Sequence, residues 1–167
     1  MMDTTLRHAA VEVQKLAGFF LDRGIFLSTA ESCTGGLVGH LLTNEPGSSS
    51  WYRGGVVAYS NELKVSLLGV SRKSLEEHGA VSSHCVLNMV RGVCRLTGSE
   101  AGIAVSGIAG PGGGTLHKPV GTVYIGWGLC NEFWWAKSDF SGNRQEIKNL
   151  SALKAIAGLS SCFSGRR

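Results

Sequence analysis

The residues best suited to chemistry in this chain are packed into Thr29-Ala30-Glu31-Ser32-Cys33-Thr34-Gly35-Gly36. The stretch offers hydroxyls, a thiol and a carboxylate, then two glycines that let backbone come close to a ligand. Apolar Ile25, Phe26 and Leu27 precede it and the amphipathic Leu37, Val38, Leu41 and Leu42 follow, which reads as strand, sharp turn and helix. A helix starting at this corner would aim unpaired N–H groups and a positive dipole end at whatever lies above Ser32. Ser32 is then a candidate nucleophile beside an oxyanion or phosphate cradle. Ser32 also suits a plain N-cap, and Glu31, Cys33 and Thr34 suit a first helical turn. Cys33 competes as nucleophile, but no His stands at a recognisable spacing to serve as its base.

A base is offered by Tyr59-Ser60-Asn61-Glu62-Leu63-Lys64. Lys64 falls in the first turn of a short helix capped by Ser60, where the dipole disfavours a cation, and shares a face with Leu68. Both effects lower a lysine pKa and make it a usable base; a solvated surface lysine is the alternative. Tyr59, at a strand end, could donate or relay a proton, or simply pack at a sheet edge. The loop Gly107-Ile108-Ala109-Gly110-Pro111-Gly112-Gly113-Gly114-Thr115 also leaves a strand, but matches neither G-x-x-x-x-G-K-[ST] nor G-x-G-x-x-G. Arg144, in the first turn of the last helix, is dipole-disfavoured and suggests an anionic partner.

The elements that must position these groups follow from periodicity. A first helix capped by Asp3 carries Leu6, Ala9, Val13, Leu16, Ala17 and Phe20 inward and ends at Gly24. Strands are expected over 25–30, 55–59, 102–106, 120–129 and 133–140, the last two joined across Asn131-Glu132 as an antiparallel hairpin. The corner helix runs to about Thr43. Other helices are capped by Ser60, Ser71, Ser82 or Ser83, and Ser141. Strands alternating with helices, plus one hairpin, give a three-layer α/β/α sandwich with a mixed, mainly parallel five-stranded sheet, read as a single domain over 1–167. Ligands in such sheets gather at the carboxyl ends of strands, where the Ser32 corner, Tyr59 and the glycine loop all leave.

Composition narrows the class. The 167 residues carry a net charge of +4 with Lys and Arg spread along the chain, so a nucleic-acid footprint is not expected and a small anionic ligand fits better. The five cysteines are an odd number without C-x-x-C, and no secretory h-region is seen, which points to reduced thiols in a cytoplasmic protein. The five histidines lack metal-ligand spacing, and no apolar run is long enough to span a membrane.

Taken together, the 29–36 stretch, Pro46-Gly47-Ser48-Ser49, Tyr59 to Lys64, Gly79-Ala80-Val81-Ser82, Ser106 to Gly114, Lys118-Pro119-Val120-Gly121-Thr122-Val123 and Phe140-Ser141-Gly142 with Arg144 resemble the CinA C-terminal domain family, the stand-alone nicotinamide-nucleotide amidohydrolase. The resemblance runs in order along nearly the whole chain. It implies an α/β/α fold with a mixed five-stranded sheet and hydrolysis of the carboxamide of nicotinamide mononucleotide to the nicotinate form plus ammonia. It further implies a serine nucleophile with a lysine base, which map to Ser32 and Lys64, with Tyr59 matching the tyrosine of the same segment. No metal or organic cofactor is implied. The expected substrate site comprises Glu31, Cys33, Thr34, Gly35, Gly36, Ser48, Ser49, Asn61, Ser106, Gly107, Gly110, Gly112, Gly113 and Arg144. Backbone N–H groups from Cys33 to Gly36 would hold the oxyanion, while Ser48, Ser49, the 107–114 loop and Arg144 would meet the phosphate. Leu116-His117 and Asn143 depart from the family pattern, at the rim. The family's larger protein has an extra N-terminal domain linked to competence and nucleotide pyrophosphatase activity, which is not expected within these 167 residues and whose function is not carried over. A non-catalytic nucleotide-binding or competence-related partner module is the alternative, and a thiol redox protein is disfavoured by unpaired cysteines. A homodimer or higher homo-oligomer is compatible with this reading.

Overall fold

The computed structural model describes residues 4–163; the expected Asp3 cap and the Leu6 side chain lie outside the described residues. Helix α1 (Thr4–Arg23) buries Ala9, Val13, Leu16, Ala17 and Phe20 along one stripe. Gly24 ends it with φ 61°, and Ile25 N–H still donates back to the Phe20 carbonyl. Strand β1 (Leu27–Glu31) therefore begins later than the apolar run suggests. There follow α2 (Leu37–Thr43), a 3-10 turn (Ser48–Ser50), β2 (Tyr52–Val57), α3 (Asn61–Ser66), α4 (Arg72–His78), α5 (Ser83–Thr97), β3 (Ala101–Gly107), β4 (Thr122–Leu129), β5 (Glu132–Asp139) and α6 (Arg144–Ser161).

Local chemistry explains most boundaries. The Ser60, Ser71 and Ser82 hydroxyls accept the N–H groups of Leu63, Ser74 and Cys85, the N-cap pattern expected of serine. Helix α6 is capped by Asn143, not Ser141: Asn143 Oδ1 accepts from Gln145 and Glu146, while the Glu146 carboxylate accepts from Asn143 N–H. That reciprocal pair satisfies donors a lone serine two residues earlier could not reach. The β4–β5 hairpin turns at Cys130-Asn131, both with positive φ (48° and 70°), as a two-residue turn matching strand twist requires.

The sheet order is β2-β1-β3-β4-β5. β1 is parallel to β2 and β3, and β4 is antiparallel to both neighbours. The two parallel and two antiparallel pairings leave β4 alone running against the other strands. Helices α1, α2 and α6 cover one face over Leu27, Ile103, Val105 and Ile125. Helix α5, with Leu68, Val70 and Leu75 from the α3–α4 segment, covers Ala30 and Ala104 on the other. Small residues on this face let α5 sit close: a Cβ on Gly126 would lie 2.9 Å from the Val86 carbonyl oxygen. Among the described residues no helix is long and apolar enough to cross a membrane. Because β1, β2 and β3 run in parallel, the Ser32 corner, the Ala58-Tyr59 segment and the 107–113 loop all leave one edge of the sheet.

Candidate active site

The corner after β1 does not open directly into a helix. Five residues of turn intervene before Leu37, and Gly36, with φ 97°, is the N-cap of α2. Their N–H groups go to the protein itself. The Glu31 carboxylate accepts from Gly36 at 2.9 Å, Val38 at 3.1 Å and Gly39 at 2.8 Å, and Gly35 N–H donates to the Ser32 carbonyl at 3.1 Å. Glu31 is thus a buried cap for α2, and Gly35 and Gly36 do not offer N–H groups to a ligand. The expected cradle from Cys33 to Gly36 shrinks to the N–H groups of Cys33 and Thr34, which have no acceptor among the described residues. The Thr34 side chain is fully buried, and its Oγ1 finds no partner among the described residues.

Lys64 is brought beneath Ser32 by the turn after β2 and is only 1% exposed. Its Nζ lies 3.1 Å from Ser32 Oγ, 2.9 Å from the Ala58 carbonyl and 3.3 Å from the Tyr59 carbonyl. A neutral amine has two protons and a lone pair. Donating those protons to the two carbonyls leaves the lone pair facing the Ser32 hydroxyl, the arrangement a general base needs. Burial holds the Lys64 pKa below its ordinary value. Helix α3 spans only Asn61–Ser66, so Lys64 is as near its last turn as its first, and desolvation rather than the dipole is the cause. Burial acts the other way on Cys33, pushing its thiol up to about 12. That group stays protonated near neutral pH and is a poor nucleophile, whereas Ser32 has the Lys64 amine in contact.

A cleft of about 260 Å³ opens above the pair, lined by Ser32, Cys33, Tyr59, Gly107, Ile108, Ala109, Gly110, Gly112, Gly113 and Arg144. Arg144 joins two of its walls: Nη1 donates to the Gly110 carbonyl at 2.6 Å and Nη2 to the Tyr59 hydroxyl at 2.9 Å. Tyr59 is 58% exposed, so its ring forms part of the rim while its carbonyl helps hold Lys64. Among the described residues the N–H groups of Ala109, Gly110, Gly112 and Gly113 find no protein acceptor. The loop therefore lines the cleft with backbone donors that the described residues leave unmatched.

The remaining expected site residues fall elsewhere. Ser48 and Ser49 occupy the 3-10 turn before β2, whose end at Trp51 accepts Leu27 N–H. That is the amino end of β1, across the sheet from Ser32, so these serines do not line this cleft. Asn61 faces a separate hollow with Glu62 and Arg72. Ser106 is buried and donates to the Ala80 carbonyl at 2.8 Å, tying the end of β3 to the segment before α5. Sequence reading missed Ala58, because a backbone carbonyl carries no signal of residue type. It gave Glu31 a place in a first helical turn, whereas the carboxylate caps α2 from the end of β1, with five residues of turn between it and the helix.

The family model for the CinA C-terminal domain matches residues 10–163. A CinA-like protein of a Thermotoga species is 47% identical over 145 residues, covering 87% of this chain and 35% of the relative. A putative competence-damage inducible protein of Clostridium botulinum is 42% identical, covering 84% of this chain and 34% of the relative. The chain thus spans about a third of the length of these curated relatives. A crystal structure of a competence damage-inducible protein A from Klebsiella pneumoniae superposes with a TM-score of 0.91 at 34% identity, covering 95% of this chain and 99% of the other. A competence/damage inducible protein from Agrobacterium tumefaciens gives 0.90 at 35% identity, covering 92% and 94%.

Proposed function

The chain belongs to the CinA C-terminal domain family, and on that premise we propose that it hydrolyses the carboxamide of nicotinamide mononucleotide to nicotinate mononucleotide and ammonia. The observation that carries this reading is the 3.1 Å contact between a buried Lys64 Nζ and Ser32 Oγ, with the other protons of Nζ held by carbonyls. Ser32 Oγ attacks the amide carbon as its proton passes to Lys64. The carbonyl oxygen becomes an oxyanion facing the Cys33 and Thr34 N–H groups, each worth about 3 kcal/mol in such a site. Lys64 returns the proton to the leaving nitrogen, so the C–N bond breaks, ammonia departs and an acyl-serine ester remains. Water then attacks the ester, giving its proton to Lys64. Collapse releases the carboxylate and restores the Ser32 hydroxyl.

The rest of the substrate lies along the cleft between the Tyr59 rim and the donor loop at 109–113. Backbone N–H groups suit an anionic nucleotide without a Walker lysine. Ammonia release from nicotinamide mononucleotide, followed with wild type and Ser32→Ala, tests the reading. Release by wild type and its loss in the variant support it. A wild-type protein that binds the mononucleotide without releasing ammonia leaves the non-catalytic nucleotide module in its place.

A further inference from the structure

One cation near the corner has no task in the chemistry above. Lys148 stands one helical turn after Arg144 on α6, so the two side chains share a face of the helix. Its Nζ lies 3.9 Å from the position a Cβ would take on Gly35. The residue is half-buried, yet it makes no ion pair or hydrogen bond among the described residues. Nearby carboxylates are already engaged: Glu31 by the amides that begin α2, and Glu146 by the Asn143 amide. Arg144, the other cation of this face, is held by the Gly110 carbonyl and the Tyr59 hydroxyl.

Position favours a role at the far end of a bound nucleotide. Gly35 N–H donates to the Ser32 carbonyl, which closes a turn and keeps the two Cα atoms within about 7 Å of one another. The Lys148 ammonium therefore lies within about 12 Å of the Ser32 Cα, on the α6 side of the Ser32 corner and one helical turn from Arg144, which lines the cleft. A Cβ on Gly35 would have no other heavy-atom neighbour within 4 Å. An ammonium is a compact, three-donor point charge, well suited to a phosphate reached across solvent.

We propose that Lys148 is the cation that binds the substrate's phosphate, with Arg144 bracing the loop and Tyr59 rather than reading the charge. The assignment rests on the nucleotide-amidase reading of the site. It predicts a discrimination between nicotinamide mononucleotide and its phosphate-free riboside that is lost when the ammonium is removed.

The test uses Lys148→Gln and Lys148→Arg with both substrates, and a titration with ribose 5-phosphate that needs no turnover. Lys148→Gln is expected to raise KM for the mononucleotide about tenfold, the scale of one charge-assisted hydrogen bond, with kcat little changed. KM for the riboside should move less than about twofold, and Lys148→Arg should restore most of the loss. Ribose 5-phosphate should bind Lys148→Gln about tenfold more weakly than wild type. Equal KM losses on both substrates, a fall in kcat alone, or unchanged ribose 5-phosphate affinity would overturn the assignment. A fall in kcat on both would instead place the ammonium beside the oxyanion. If wild type releases no ammonia from either substrate, the amidase reading fails, and the ribose 5-phosphate titration still decides whether Lys148 binds a sugar phosphate.

Discussion

Ser32 and Lys64 on one side of the cleft and the 107–113 loop on the other reach the same space by opposite means. On the first side the Ser32, Lys64 and Glu31 side chains are matched inside the protein: Lys64 is buried against Ser32 Oγ and the Ala58 and Tyr59 carbonyls, and Glu31 locks the turn from beneath. The second is made of backbone whose donors at 109, 110, 112 and 113 have no acceptor among the described residues, held in place from outside by Arg144. A buried, satisfied side fixes a geometry and shifts a pKa. A side with unmet donors is complementary to something that arrives. Catalysis and recognition should therefore separate when the two sides are altered in turn.

The sharpest separation is expected at Ser32 and Lys64, the proposed catalytic pair. Ser32→Ala and Lys64→Met should each lower ammonia release by about a thousandfold or more with mononucleotide binding kept, and the double variant should be no worse than either. Wild-type kcat/KM should rise with pH through an apparent pKa below the ordinary lysine value, and that limb should vanish from the residual rate of Lys64→Met. Stability carries the same signature. Because burial lowers the Lys64 pKa from 10.5, the unfolded chain binds that proton more tightly and wild-type stability rises with pH between the folded value and 10.5. Lys64→Met should therefore gain most over wild type near neutral pH, with the difference shrinking in alkaline melts.

Glu31 tests whether the first side is held from below. Glu31→Ala leaves the Gly36, Val38 and Gly39 amides without their acceptor and should cost roughly 2–4 kcal/mol in denaturant unfolding, with activity falling as the corner loosens. Glu31→Gln should recover part of both. A variant as stable as wild type would show that the carboxylate does not hold the turn.

Arg144 sits where the sides meet. Its bonds to Gly110 and Tyr59 mean that Arg144→Ala should reduce kcat/KM by roughly tenfold, about 1.4 kcal/mol, on mononucleotide and riboside alike. A loss confined to the mononucleotide would return phosphate reading to Arg144.

The smallest change in the fold is expected at Gly112. A Cβ there meets nothing within 4 Å, whereas one on Gly110, with φ 78°, would lie 2.6 Å from Val120 Cγ1. Gly112→Ala should alter stability by less than about 0.5 kcal/mol yet raise KM, since the added methyl enters the cleft lining. Gly110→Ala should lower the melting temperature as well. If both variants behave alike, the loop's glycines serve the backbone rather than the ligand.

Much of this molecule was legible in its residues. Helical spacing from Ala9 to Phe20, the serine caps and the continuous small and branched run of β3 specified an α/β/α sandwich, because these are local patterns. The same holds for Ser32, Tyr59 and the glycine loop as ends of parallel strands, a consequence of strand–helix alternation alone. Tertiary structure decided which donors stay unpaired. Glu31 takes the Gly36 amide and the Ser32 carbonyl takes that of Gly35, so of the expected Cys33-to-Gly36 cradle only the Cys33 and Thr34 N–H groups stay unpaired among the described residues. It also removed Ser48 and Ser49 from the cleft, since they precede a strand whose other end approaches Ser32. Lastly it buried Lys64 and lowered its pKa: a six-residue helix has little dipole to offer, and only packing against the neighbouring layer could strip water from the ammonium.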